Sequence, residues 1–170
     1  MVFSSLEFLY LYLPVSLLIY FLIPSRFLWA RNIALFAVSL AFYGWSEPIY
    51  IAIMLFSVVL DYFCGYFVSK YKQTNPKKAK AALLTSIIAN LSVLFFFKYF
   101  DYTLQLIQKV GLAKGISPLG LALPIGISFY TFQKLSYTID VYRGESRGQK
   151  NFIEFSVFVT LFPQLIAGPI

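Results

Sequence analysis

The sequence predicts an all-α, polytopic membrane protein, and three observations lead to this fold class. Hydrophobic residues make up 59% of the 170 residues and charged residues only 12%, whereas soluble domains carry about 25% charged residues. Several apolar runs approach the roughly 20 residues that cross a bilayer as a helix. Short, mostly polar gaps separate these runs. The spans are expected at about residues 6–23, 32–45, 48–69, 81–97, 118–141 and 151–170.

The basic residues predict the orientation of these spans. Ten of the 14 Lys and Arg residues fall in three short gaps, at residues 26–31, 70–80 and 143–150. Short loops rich in Lys and Arg mark the cytoplasmic side of a membrane, so the N-terminus is expected outside. Because the net charge of +7 is concentrated in these loops, we expect the lipid bilayer as a partner and no nucleic acid.

The first three spans are separated by brief turns. The run at 6–23 has no basic segment before it and no small-residue cleavage site, so it is expected to stay in the protein as a membrane span. The run at 32–45 is short and ends in an aromatic cluster around Tyr43, which favours the membrane–water interface. Glu47-Pro48 then forms the turn into the third span.

The fourth span is expected to be followed by a separate helix on the outer surface. Lys98 and Asp101 lie three residues apart at its outer end, where they share a helix face and can pair. From Tyr102 to Val110 the apolar residues recur at helical spacing against polar ones. This pattern predicts a short amphipathic helix lying on the membrane surface.

Helix-breaking residues interrupt the last two spans. Prolines and glycines crowd the start of the fifth span between residues 118 and 126, and Pro163 and Gly168-Pro169 interrupt the sixth. Such breaks at membrane depth are tolerated where the backbone lines a cavity or packs on protein, so a broken or re-entrant segment is expected. The last residue, Ile170, has no polar flank, which indicates an N-terminal fragment of a larger membrane domain.

A stripe of polar residues follows the first of these breaks. Positions at steps of three and four share one face of a helix. The stripe consists of Tyr130, Gln133, Tyr137 and Asp140, with Lys134 beside them. Polar residues in a membrane helix normally face the protein interior or water. The stripe could therefore hold the bundle together by hydrogen bonds between helices, or form the wall of a substrate tunnel.

Other ionisable residues have alternative interpretations as well. Asp140 and Arg143 could form a local salt bridge, or Arg143 could meet phosphate groups of an acyl donor, which a guanidinium matches well. Asp61, inside the third span, could be a paired structural carboxylate or a catalytic one. The chain contains no histidine, the usual general base near neutral pH, so no catalytic residue is expected in it. With Cys64 as the single cysteine, no metal site is expected.

Two stretches resemble one family of membrane enzymes. Residues 123–144, which begin Leu-Pro-Ile-Gly-Ile-Ser-Phe-Tyr, and residues 162–169, Phe-Pro-Gln-Leu-Ile-Ala-Gly-Pro, are similar to the membrane-bound O-acyltransferase family. Within that family they resemble the bacterial alginate O-acetylase branch. The opening Met-Val-Phe-Ser-Ser and the stretch Phe97-Lys-Tyr99 share this resemblance.

The resemblance implies a function and a location. It implies the N-terminal third or so of an enzyme of the bacterial inner membrane that takes acetyl from cytoplasmic acetyl-CoA, a donor and not a tightly bound cofactor. The acceptor would be an extracytoplasmic polysaccharide such as alginate, often reached through a partner protein outside. The resemblance places Gln164 in the core around the reaction chamber and the catalytic histidine well beyond residue 170. The chain alone is therefore expected to be inactive.

Two other functions fit part of the pattern. Transporters also use broken helices with polar residues at membrane depth, but they commonly carry inverted repeats, and no internal repeat is visible in this sequence. A non-catalytic scaffold subunit of a polysaccharide assembly complex would need no histidine. Continuation of the reading frame after codon 170, with further spans and a histidine, would favour the acyltransferase.

Overall fold

A computed structural model describes residues 5–109, 119–120 and 123–167, and all regular secondary structure within these ranges is helical. The all-α prediction is therefore confirmed for the described part of the chain. The elements are a π-helical segment Phe8–Tyr12 that runs into α1 (Leu13–Leu22), α2 (Leu28–Ser46), α3 (Tyr50–Tyr71), α4 (Pro76–Lys109), α5 (Ile127–Arg143), α6 (Phe152–Thr160) and α7 (Phe162–Ala167).

Helices α3 and α4 are long and apolar enough to cross a membrane. They form a hairpin whose turn has clear local causes. Pro76 occupies the start of α4, where its missing N–H is tolerated, and the Asn75 side chain accepts a hydrogen bond from the Lys78 N–H at 3.2 Å. Large apolar side chains such as Phe56 and Ile88 point outward and are more than 60% exposed. Such apolar outer faces are typical of membrane helices and consistent with a membrane protein.

The outer end of α4 differs from the prediction. Residues 102–109 continue α4 without interruption, so the prediction of a separate helix starting at Tyr102 is wrong over these residues. No proline or glycine lies between Lys98 and Tyr102, and helical periodicity alone does not separate a new helix from a continued one. Val110, Gly111 and Pro118 lie outside the described residues.

Asp101 also has different partners from those expected. It forms no ion pair with Lys98 among the described residues. Its two carboxylate oxygens instead accept hydrogen bonds from the backbone N–H groups of Leu119 and Gly120, at 2.9 Å each. The carboxylate thus holds the segment that leads towards α5.

The break before α5 uses a glycine that no other residue could replace without strain. Gly126 has a φ of +73°, and a Cβ atom there would lie 2.8 Å from the carbonyl oxygen of Leu165. Helix α5 begins at Ile127, directly after this break and within the span expected at residues 118–141. It ends at Gly144, whose φ of +92° closes the helix through a hydrogen bond to the Asp140 carbonyl at 2.9 Å.

The last apolar run is broken into two short helices, as predicted. Helix α6 begins after Asn151, whose side chain accepts a hydrogen bond from the Ile153 N–H at 3.0 Å. It ends at Thr160, one residue before α7, and Pro163 lies in the first turn of α7. Gly168 and Pro169 lie outside the described residues.

The core lies where α2 to α7 meet. Its central side chains are nearly inaccessible; among them are Met54, Val58, Ile127, Tyr130, Phe155 and Val159. A second, aromatic cluster joins the N-terminal helical segment to α2 and α7. It contains Phe8, Phe42 and Phe162, with Tyr12 packed against them. In the first cluster α5 packs against the α3–α4 hairpin, and α6 also contacts α3 through Tyr62 and Phe155.

The connections lie at two opposite ends of the bundle. At one end, the turn after α3 meets the connection after α5, because Gly144 packs against the Lys72 side chain and Gly148 against Ser69. At the other end, the segment before α5 is held by Asp101 and by Glu47, whose carboxylate accepts a hydrogen bond from the Ile125 N–H at 3.0 Å. Two of the three basic gaps therefore lie side by side.

Candidate functional site

A buried polar cluster links three helices in the core. Asp61 on α3, Ser86 and Asn90 on α4, and Lys134 on α5 are each at most 3% exposed. The Asn90 amide donates to both carboxylate oxygens of Asp61, at 2.8 and 2.7 Å, and the Ser86 hydroxyl donates to one of them. Buried carboxylates need such partners, because an unpaired charge in an apolar interior is costly.

Lys134 completes this cluster with the opposite charge. Its ammonium nitrogen lies 3.2 Å from Asp61 Oδ2, and both side chains are fully buried. The contact is an ion pair and not an aligned hydrogen bond, because Lys134 Nζ has no hydrogen-bond partner of standard geometry among the described residues. The ring of Tyr130 lies beneath the ammonium, with its centroid 5.2 Å from the nitrogen. Asp61 therefore has the paired environment of a structural carboxylate.

A cavity of about 870 Å³ opens on the other side of α5. It lies between α5 and α6, beside the connection that joins them. The polar residues that line it include Gln133, Tyr137, Asp140, Arg147, Glu154 and Gln164. The aromatic rings of Phe132 and Phe158 also line it and remain largely exposed. A concave, mostly apolar site with a few convergent polar groups is typical of a ligand-binding pocket.

Hydrogen bonds hold most of the polar wall in place. The Gln133 side-chain amide donates to the Phe158 carbonyl at 2.8 Å, which fastens α5 to α6. The Tyr137 hydroxyl accepts from the Gln149 N–H at 2.8 Å, and the Gln149 side chain donates to Glu154 at 2.7 Å. The Gln133 amide oxygen is buried and has no hydrogen-bond partner in the described part of the chain. Hydrogen bonds within the protein therefore fix Gln133, Tyr137 and Glu154 in this wall.

The predicted salt bridge between Asp140 and Arg143 is not present among the described residues. Asp140 lines the cavity and has a long contact of 3.5 Å with the Ser136 hydroxyl, whereas Arg143 is exposed and does not line it. Positions three apart differ by about 60° around a helix, and Gly144 ends α5 directly after Arg143. Asp140 can therefore face the cavity while Arg143 faces the surface.

The structure divides the predicted site residues into three groups. Gln133, Tyr137, Asp140 and Gln164 come together at the cavity. Tyr130 and Lys134 lie in the core, and Lys134 faces Asp61 of α3. Arg143 lies on the surface.

Sequence reasoning missed the pairing of Asp61 with Lys134 and the contribution of the connection after α5, where Arg147 and Gln149 reach the cavity. The sequence did contain a signal for the pairing of Asp61 with Lys134. Asp61 and Lys134 are charges of opposite sign inside apolar spans, and such charges tend to pair with one another. The sequence contained no such signal for the connection after α5, because the path of a loop does not follow from its local sequence.

In the described residues no group of His, Cys, Asp and Glu could hold a metal ion.

Comparison with known proteins identifies relatives over the whole chain. It is 39% identical to the probable alginate O-acetylase AlgI of Pseudomonas syringae pv. tomato and 36% identical to that of Azotobacter vinelandii, covering 33% and 34% of those proteins. It is also 31% identical to a peptidoglycan O-acetyltransferase of Helicobacter pylori, covering 37% of it. No family model and no solved structure matches the chain.

The chain spans about a third of the length of the curated relatives that it matches. The alignment includes all 170 residues, and therefore the cavity wall on α5 and α6 as well as the Asp61–Lys134 pair. The resemblance that the sequence motifs indicated is thus confirmed: over all 170 residues the chain is similar to the alginate O-acetylases, and it matches their N-terminal third.

Proposed function

We propose that this chain forms the N-terminal part of a membrane O-acetyltransferase. It would take acetyl from cytoplasmic acetyl-CoA and transfer it to hydroxyl groups of an extracytoplasmic polysaccharide such as alginate. The observation that carries the proposal is the similarity of the whole chain to enzymes named for O-acetylation of two sugar polymers, alginate and peptidoglycan. The chemistry common to them is the formation of an acetyl ester on a hydroxyl group.

The proposed topology is polytopic, in a bacterial inner membrane, with the N-terminus outside. Two observations support it. The basic gaps at 70–80 and 143–150 meet at one end of the bundle, as expected if both face the cytoplasm. The opposite end carries the carboxylates of Glu47 and Asp101, which bind the segment before α5. The breaks at Gly126 and between α6 and α7 would form the re-entrant part.

The cavity is the proposed donor side of the site. It reaches the end of α5 at which the basic gaps meet, so a cytoplasmic donor would enter from there. Arg147 is the basic side chain that lines it and could bind a phosphate of acetyl-CoA by bidentate hydrogen bonds. Arg143, which the sequence suggested for this role, lies outside the cavity. Gln133 and Tyr137 would line the path of the thioester arm.

The transfer itself needs a group that accepts the hydroxyl proton. The acceptor oxygen attacks the thioester carbonyl carbon, the carbon–sulfur bond breaks, and coenzyme A leaves as the thiol. The 170 residues contain no histidine, and the buried carboxylate of Asp61 is engaged by Lys134 and Asn90. In this proposal the remaining two thirds of the protein supply the base, and the chain described here binds and positions the donor.

The test uses the full-length gene product in whole cells, where any acetyl-accepting partner protein outside the membrane is present. Deletion of the gene should abolish O-acetylation of the extracellular polysaccharide, measured as ester-linked acetate per sugar. Re-expression of the full-length protein should restore it. Unchanged acetate content in the deletion strain, with the polysaccharide still produced, would refute the proposal.

A further inference from the structure

We propose that Asp61 and Lys134 are positioning residues for the cavity. Their buried ion pair fixes the rotation of α5 about its own axis, and this rotation points Gln133, Tyr137 and Asp140 at the cavity. The role in acetyl transfer rests on the function proposed above. The rotation of α5 can be tested without any activity.

The first argument is that the pair is locked to the hairpin. Asp61 is held by Ser86 and Asn90 of α4 as well as by Lys134 of α5. Both of its oxygens accept hydrogen bonds from Asn90, one of them also accepts from Ser86, and all four side chains are buried. The carboxylate therefore cannot swing to another partner, and Lys134 must come to it. This makes α3 and α4 the fixed reference against which α5 is oriented.

The second argument is that only one rotation of α5 gives Asp61 a counter-ion. Polar side chains lie on several sides of the helix, at Gln133, Ser136 and Thr138 as well as Lys134, while the large apolar ring of Phe132 points outward. A rotation by one residue, about 100°, would bring Gln133 or Leu135 towards Asp61. Neither carries a charge, so the carboxylate would be left buried without its counter-ion, which is strongly unfavourable. Only the observed rotation of α5 therefore gives the Asp61 carboxylate a counter-ion.

The third argument is the direct connection to the cavity wall. Gln133 precedes Lys134 in the chain and donates to the Phe158 carbonyl on α6 at 2.8 Å. Tyr137, one turn later, accepts from the Gln149 backbone at 2.8 Å. With Lys134 held towards Asp61, Gln133 and Tyr137 lie about 100° and 60° further around α5, where they face the cavity. The ion pair thus sets the positions of Gln133 and Tyr137 in the cavity wall, although neither Asp61 nor Lys134 lines the cavity.

Stability alone does not account for such a pair. Replacing a buried ion pair with apolar residues of similar volume is often neutral or stabilising, and the best-supported role of buried charges is to specify one arrangement among several. A charge pair that orients a helix and lies directly behind a cavity fits that role.

The test compares Asp61→Asn with the exchange variant Asp61→Lys/Lys134→Asp in the full-length protein. Asn keeps the size of Asp but removes the charge, and the exchange keeps both charges and the summed side-chain length. Ser57→Ala is the matched control, because Ser57 is buried on the same helix and bonds only to the Met54 carbonyl of its own helix. Folded protein is quantified by size-exclusion chromatography in detergent.

Misplacement by about 1 Å can cost on the order of 100-fold in rate, so kcat/KM per folded molecule should fall at least about tenfold in Asp61→Asn. It should recover in the exchange variant.

Rotation is read separately by thiol labelling in a Cys64→Ser background. Ser136→Cys, at the cavity, should react quickly, and Thr138→Cys, fully buried towards the core, should react slowly. In Asp61→Asn the ratio of the labelling rate at residue 136 to that at residue 138 should fall several-fold. The exchange variant should restore this ratio. Unchanged labelling and unchanged activity per folded molecule in Asp61→Asn would overturn the proposal. So would failure of both variants to fold while Ser57→Ala is normal, because the pair would then serve folding only. If the full-length protein transferred no acetyl at all, the proposed function would fail, but the labelling would still decide on the rotation.

Discussion

A side chain on residue 126 would collide with the backbone of α7, because a Cβ atom there would lie 2.8 Å from the Leu165 carbonyl oxygen. Gly126 also has a left-handed φ of +73°. The start of α5 and the α6–α7 break are therefore coupled through this single contact, although they lie far apart in the chain.

Gly126→Ala should destabilise the protein more than Gly120→Ala. Both glycines have positive φ, and the strain of a left-handed residue costs about 1–2 kcal/mol at either position. Residue 126 also adds a clash, whereas no atom of the described residues lies within 4 Å of a Cβ at residue 120. Overpacking typically costs a further 1–3 kcal/mol, by order of magnitude. The Tm of the purified full-length protein measures the difference, and equal Tm losses would show that α7 moves aside freely.

The basic turn after α3 should face the cytoplasm. A single cysteine at Gln73, in a Cys64→Ser background, should react with a membrane-impermeant thiol reagent only after the cells are permeabilised. Gln105→Cys, exposed near the other end of α4, is the control and should react in intact cells. Reaction of residue 73 from outside, with residue 105 protected, would invert the proposed topology.

Gln133→Ala and Asp140→Ala should impair acetyl transfer by the full-length protein more than Lys77→Ala does. Gln133 and Asp140 line the cavity, and Gln133 also bonds to α6, whereas Lys77 is an exposed residue at the start of α4. A hydrogen bond such as that of Gln133 contributes about 0.5–1.5 kcal/mol, against about 0.5 kcal/mol or less for a change at an ordinary surface position. The measurement is ester-linked acetate in the polysaccharide at matched membrane protein levels. Equal acetate in all three variants would remove the cavity from the mechanism.

Arg147→Gln should raise the KM for acetyl-CoA, while Arg143→Gln should leave it nearly unchanged. The two residues lie in the same basic gap and differ in that only Arg147 lines the cavity. A hydrogen bond to a charged group is worth about 1.5–3 kcal/mol, so the rise should be roughly tenfold or more. Steady-state kinetics with acetyl-CoA as the varied substrate provide the test. A larger effect at Arg143 would place the donor outside this cavity.

The parts of the fold that depend on local chemistry could be predicted from the sequence. The basic turn at Pro76, the start of α5 after Gly126 and the break before Pro163 each follow from a proline or glycine with few alternatives. The end of α4 could not, because the residues around Lys98 and Asp101 carry no local stop signal. Asp101 instead finds its partners in the segment before α5.

The helical spacing of the polar stripe could be predicted from the sequence, but the division of its residues between the core and the cavity could not. Helical spacing places Tyr130, Gln133, Tyr137 and Asp140 near one face of α5. Which edge of that face turns to the core depends on Asp61, a residue of another helix, whose charge attracts Lys134. The result is that Tyr130 is buried while Asp140 lines the cavity. A pattern within one helix carries no information about a counter-ion on a different helix.

The arrangement around Asp61 also implies an order of assembly during synthesis. Asp61 and its partners Ser86 and Asn90 belong to the α3–α4 hairpin, which is synthesised before Lys134. Until then the serine hydroxyl and the asparagine amide are the groups that solvate the carboxylate. When α5 enters the bundle, it brings the neutralising charge with it. In the hairpin alone, the Asp61 carboxylate therefore has hydrogen-bond donors but no counter-ion. This favours docking of α5, which carries Lys134, over docking of a helix without a positive charge.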